Sequence, residues 1–123
     1  MKKIKIKFLN CSINIDLYDT QTSNLIWESC PIESVISTWG DEVYFDTKIQ
    51  TIKEENAKDV INKGEIAFWV EGSSIAIGFG PTPISHDSEI RLITKANIIG
   101  ETNSDLSLLS MVNSGEIVIV EQI

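Results

Sequence analysis

The chain has 123 residues, 42% of them hydrophobic and 23% charged, with 18 acids against 10 bases for a formal net charge of −8. That balance is typical of globular proteins and sets aside disordered and fibrous classes, while the length suits one core and a single domain spanning residues 1–123. The negative charge opposes nucleic-acid binding, which depends on Lys and Arg neutralising phosphates.

No apolar stretch reaches the roughly 20 residues that a membrane helix requires, so the expectation is a cytoplasmic protein with no membrane partner. Basic charge is uneven. Lys2, Lys3, Lys5 and Lys7 leave residues 8–123 with six bases against eighteen acids, a balance of −12. Ile4, Ile6 and Phe8 alternate with Lys5 and Lys7, which predicts a half-buried strand over residues 3–8 whose lysines face water and discourage edge pairing. Residues 12–17, SINIDL, alternate in the same way, and the short Leu9-Asn10-Cys11 connection makes the two a hairpin.

Asp19 or Thr20 then caps a brief helix carrying Leu25, Ile26 and Trp27, which Pro31 ends by disfavouring helical geometry at Cys30. Residues 32–39 and 42–47 read as strands around a turn at Gly40, which tolerates positive φ. In residues 53–63, Ala57, Val60 and Ile61 stand at helical spacing before Gly64, predicting a short helical turn. Residues 66–70 and 74–79 flank the turn Glu71-Gly72-Ser73 and are apolar on both faces. One face belongs to a barrel interior, and the other needs a helix, a loop or a partner to cover it. Residues 90–93 and 96–99 are short strands, Ser104 caps a helical turn bearing Leu106, Leu109 and Val112, and residues 116–120 form a last strand. About eight strands and two or three short helices result, with no repeat or linker. Closing the sheet removes its edges, so the fold class is mainly β, an antiparallel barrel.

The series Leu17-Tyr18-Asp19, Pro31-Ile32-Glu33-Ser34, Trp39 to Phe45, Gly64 to Trp69, Phe79 to Ser85, Asn97 to Gly100 and Gly115-Glu116-Ile117 resembles the small prokaryotic cyclophilin-like barrel proteins, a minimal branch of the cyclophilin-fold superfamily. The resemblance runs nearly end to end and implies a closed eight-stranded barrel. It transfers fold more securely than activity. The larger cyclophilins are peptidyl-prolyl isomerases with a signature like F-H-R-V-I followed by F-M-x-Q, and no such string occurs here.

The most constrained loop is GFGPTPIS, residues 78–85, with two of the three prolines and two of the seven glycines. Its prolines bias Gly80 and Thr82 towards extended geometry, presenting carbonyls and a hydroxyl with little entropy left to lose on binding. A ligand groove is therefore expected along residues 79–86, with Trp39, Tyr44, Phe68, Phe79, Thr82 and His86 as its lining. Alternation puts Phe68 and Trp69 on opposite faces, so at most one lines a given cavity. Arg91, the sole arginine, is the candidate catalytic residue. Its guanidinium could polarise a prolyl amide, or it could simply pair with Glu89 or Asp87. His86, the only histidine, has no partner recognisable by spacing.

The acids Asp41, Glu42 and Asp46 suggest a carboxylate group, but turn preference accounts for Asp41 and no neighbour signals a raised pKa. Cys11 and Cys30 read as reduced thiols, and without nearby histidines neither marks a metal site or a nucleophile. Phosphate-cradling glycine motifs are absent, and no cofactor is expected. The expected function is binding of a small ligand or peptide segment in the groove, by a monomer or small homo-oligomer. The alternatives are a peptidyl-prolyl isomerase using Arg91 with an apolar pocket at Phe68 or Phe79, and an interaction module whose two-sided apolar strands are covered by another subunit.

Overall fold

The computed structural model describes residues 2–123. Its first hairpin follows from the alternation at the N-terminus. β1 (Lys3–Lys7) and β2 (Ser12–Leu17) pair antiparallel with Ile4 opposite Ile15 and Ile6 opposite Ile13. All four isoleucines are buried, while Lys3 and Lys7 face outward and meet Asp16 and Glu121 at 3.4 and 3.2 Å. α1 (Gln21–Ser29) begins where the Thr20 hydroxyl accepts the Ser23 backbone N–H, and it buries Ile26 in the core. It stops at Cys30, which is extended before Pro31, as the ring of a following proline demands.

The remaining strands are β3 (Ile32–Val35), β4 (Ser37–Thr38), β5 (Glu42–Asp46), β6 (Lys58–Ile61), β7 (Glu65–Trp69), β8 (Ser74–Gly78), β9 (Ile90–Glu101) and β10 (Ile117–Gln122). The sheet runs in the order β3-β10-β1-β2-β9-β7-β8-β5-β4. Its two terminal strands, β3 and β4, are neighbouring stretches of one chain separated only by Ile36. Ile36 is buried, its N–H donates to the Glu116 carbonyl, and its own carbonyl accepts from Gly115. A single bent segment thus pairs with β10 before the bend and with β5 after it. This closes the barrel and leaves no long edge to recruit another chain.

Three expectations change. Residues 58–61 form a strand, not a helical turn: β6 pairs with β9, Val60 opposite Arg91 and Ile61 opposite Ile90. Two adjacent β-branched residues favour that pairing over helix, and the Asn56 amide donating to the Ile98 carbonyl pins the approach. Gly64 does take φ +102, but in the tight turn where the Glu65 N–H donates to the Asn62 carbonyl. The two short strands expected over residues 90–99 are one continuous 12-residue strand, β9, with a register shift where it passes β7. The late helix is 3₁₀ (Leu106–Met111), capped by the Asp105 side chain and not by Ser104. Its three-residue repeat puts Leu106 and Leu109 on one buried face.

Alternation divides the apolar residues of β7 and β8 between two clusters. Ile66, Phe68, Ile75 and Ile77 join the barrel interior, whereas Ala67 and Ala76 point outward into a second cluster with Ile61, Ile90, Leu92, Ala96 and Ile98. The cover for the outer face of these strands is β6 and the first half of β9 of the same chain. Close approach is possible because the outer residues are small. A Cβ on Gly78 would overlap the Ile90 side chain.

Candidate functional site

Small outer residues let β9 lie close, and beyond them the space opens. Next to Ala76 and Ala96 lies a half-enclosed cavity of about 210 Å³. Its barrel-side wall is Trp39, Glu42, Tyr44, Trp69 and Ala76, and β9 contributes Leu92, Ile93, Thr94 and Ala96. Strand parity explains the membership. On β5, Val43 and Phe45 are buried in the interior, so Glu42 and Tyr44 face out. Tyr44 stands opposite Ala76, which stands opposite Ala67 on β7. Trp69 is two residues beyond Ala67 and shares its face.

The aromatic walls are held in a corner. The Tyr44 and Trp69 rings are 6.1 Å apart at 89°, the edge-to-face arrangement that sets a positive ring edge against a negative ring face. The turn after β7 passes directly beneath the Trp69 indole, and a Cβ on Gly72 would overlap its six-membered ring. Gly72 is thus what lets Trp69 lie down against its own turn.

Glu42 is only 7% exposed, and its Oε1 has no hydrogen-bond partner; the Trp69 Nε1 is likewise shut away from water and unpaired. Burial pushes the Glu42 carboxyl up from 4.5 to about 7, because the charged form loses its hydration without gaining a counter-charge. Elsewhere the fold satisfies what it buries. Asn97, 0% exposed, accepts from the Glu54 N–H at 2.7 Å and donates to the Ile52 carbonyl at 2.9 Å and the Thr22 hydroxyl at 3.1 Å. Orphaned polar atoms just behind a concave apolar surface are a pattern expected of a binding site.

Of the residues expected along a groove at 79–86, Trp39 and Tyr44 line this cavity and the others do not. Phe68 is fully buried in the barrel interior, on the opposite face of β7 from Trp69, and Phe79 packs against the same interior cluster. Thr82 is buried, its hydroxyl donating to the Arg91 carbonyl and its N–H to the Ser85 hydroxyl. His86 is exposed, and its backbone N–H donates to the Glu89 carboxylate. The Arg91 guanidinium is engaged by Glu89 through Nε and by Asp59 at 3.3 Å, a grip that holds the Glu89 carboxyl below its ordinary value.

The proline loop has a different job from presenting its own groups. The Asp41 N–H donates to the Pro81 carbonyl and the Phe79 N–H to the Asp41 carbonyl. Gly40, at φ +60, packs so tightly on Thr82 and Pro83 that a Cβ would meet them at about 3 Å. With Thr82 and Ser85 also bonded to Arg91, the loop braces both the Trp39–Glu42 turn and the start of β9. It stiffens two sides of the cavity from behind.

Sequence reasoning weighs Glu42 and Trp69 without placing either in the site, and its reading that nothing raises a carboxyl pKa near Glu42 is corrected by the burial of that side chain. Their shared parity with Tyr44 and Ala67 is visible, but nothing local shows that β9 folds back over that face. Cys11 and Cys30 are free, and burial pushes both thiols up, Cys30 to about 11, so neither is a thiolate near neutrality. Among the described residues no cluster of three or more His, Cys, Asp or Glu could hold a metal ion, and no helix is long and apolar enough to cross a membrane.

Comparison with known proteins adds two findings. A family model described as Cyclophilin-like matches residues 2–121. The solution structure of the hypothetical protein AF2241 from Archaeoglobus fulgidus superposes with a TM-score of 0.86 at 38% identity, covering 99% of this chain and 95% of that one. No curated protein matches.

Proposed function

Because this chain belongs to the cyclophilin-like family, a kinship that supplies the barrel but not a chemistry, we propose that it is a small-ligand binder using the cavity between the barrel wall and β9. The observation that carries this reading is Glu42, a buried carboxyl with an unpartnered oxygen in a wall that is aromatic and aliphatic apart from it and Thr94. Leaving such a group unsatisfied costs about 1–3 kcal/mol, a cost that a ligand able to engage it would recover. The volume favours a small molecule over a peptide segment. At about 210 Å³ the cavity is below the roughly 300–1,000 Å³ of sites for drug-sized ligands.

Isomerase activity has less support. That chemistry needs a cation beside the prolyl nitrogen, and the cavity is lined by no Lys or Arg, while Arg91 is held by Glu89 and Asp59. The test is a fragment screen followed by backbone amide shifts on the intact chain. Shifts should cluster at Tyr44, Trp69 and Leu92 and vanish in Ala76→Leu, which fills the cavity floor. Shifts scattered over the surface, or unchanged by Ala76→Leu, would remove the proposal. A proline-isomerisation assay on a short X-Pro peptide should show no rate above background.

A further inference from the structure

The same cavity carries information about its ligand. We propose that it selects a small quaternary ammonium ion, seated in the cavity against the Tyr44 and Trp69 rings with Glu42 as its counter-charge, an inference that rests on the binding role proposed above.

The argument starts with the aromatic corner. Two rings at 89° with centroids 6.1 Å apart, and Trp39 in the same wall, give an organic cation more than one π surface within reach. Such a cation is attracted to a ring face within about 6 Å of its centroid, most strongly to Trp and where water is excluded. Glu42 adds the one group in the wall able to carry negative charge near neutrality, and its Oε1 has no partner to lose. A buried carboxylate without a counter-ion is unfavourable; a cation arriving beside it reverses that, and burial and pairing then reinforce each other. The chain's net charge of −8 attracts cations to the surface in the first place.

The kind of cation follows from the hydrogen-bond inventory. A primary ammonium brings three donors. Apart from Glu42, the only side-chain oxygens in the wall are the Tyr44 and Thr94 hydroxyls, and Thr94 already donates to Glu71. A primary ammonium would have to divide its three N–H groups between Glu42 and two hydroxyls in a mostly apolar wall, whereas an alkylated ammonium has no donor to satisfy and offers methyl groups to Leu92, Ala76 and Ala96.

The experiment titrates the intact protein with choline and with its neutral carbon isostere, 3,3-dimethyl-1-butanol, at pH 8, where the Glu42 carboxyl is mostly ionised, following the amide shifts of Tyr44 and Trp69. The expected result is choline binding at least tenfold tighter than the isostere, with that preference lost in Glu42→Gln and choline binding weakened at least tenfold in Trp69→Leu. Amide spectra of both variants establish that they are folded. Equal binding of the two probes, at shifts that still map to the cavity and disappear in Ala76→Leu, would overturn the cation assignment and leave the binding role standing. Binding of neither probe, when neutral fragments do occupy the cavity, overturns the cation assignment alone; failure of every fragment removes both.

Discussion

Replacing Glu42 by glutamine should change how stability depends on pH. The folded-state value of about 7 lies above the ordinary 4.5. Between these values the unfolded chain has released the proton and the folded chain still holds it, so unfolding releases a proton and stability falls as pH rises from 4.5 through 7. That interval, at about 1.4 kcal/mol per pH unit, amounts to about 3 kcal/mol, of which about 2.5 kcal/mol develops between pH 5 and pH 8. Glutamine keeps the shape and removes the titration. Urea denaturation of both proteins at pH 5, 6, 7 and 8 isolates the effect, because every other titrating group is shared. The stability of Glu42→Gln relative to the parent should rise by about 2.5 kcal/mol across the series, or about 1.7 M in urea midpoint at an m-value near 1.5 kcal/mol/M. A difference that stays constant with pH would mean that Glu42 is hydrated or paired, and the reasoning about the cavity would fail with it.

Gly72→Ala should destabilise by about 1–3 kcal/mol in urea denaturation, since the new methyl displaces the Trp69 indole, and should shift the tryptophan fluorescence in the folded state. Asn97→Ala should cost about 3 kcal/mol by the same measurement, at about 1 kcal/mol for each of its three hydrogen bonds to Glu54, Ile52 and Thr22. Thr82→Val keeps the side-chain shape but loses the hydroxyl donated to Arg91, costing about 1–2 kcal/mol and speeding amide hydrogen exchange at Asp41 and Phe79, where the proline loop is laced to the turn. Arg91→Ala should leave ligand binding in the cavity unchanged in a calorimetric titration, because its guanidinium is paired with Glu89 and Asp59 outside it; a large loss would bring Arg91 back as a site residue.

How far the site could be read in advance differs residue by residue. Tyr44 and Trp39 are aromatic residues on a short strand and its turn, and parity alone puts Tyr44 opposite to the core residues Val43 and Phe45. Phe68 and Trp69 are adjacent and equally aromatic, so parity requires one of each face without saying which face is the interior. Ile66 and Ala67 divide the same way, and only the closed barrel decides between them. The proline loop is legible as rigid, but its rigidity is spent inward, against Gly40 and Arg91, for reasons that lie nine and forty residues away in the chain.

The sequence by itself determined most of the period-2 strands, a helix cap at Asp19 or Thr20, the break at Pro31, and the fact that β7 and β8 need cover on both faces. These are properties of a residue and its nearest neighbours, set by sterics, local hydrogen bonding and the pleat. Only the tertiary structure decided that Ile36 closes the barrel, that residues 58–61 become a strand on β9, and that β9 passes over Ala76 to leave Glu42 buried without a partner. Those outcomes depend on contacts between distant segments, and the charge state of a carboxyl is set by the water it has lost, which no local pattern of residues records.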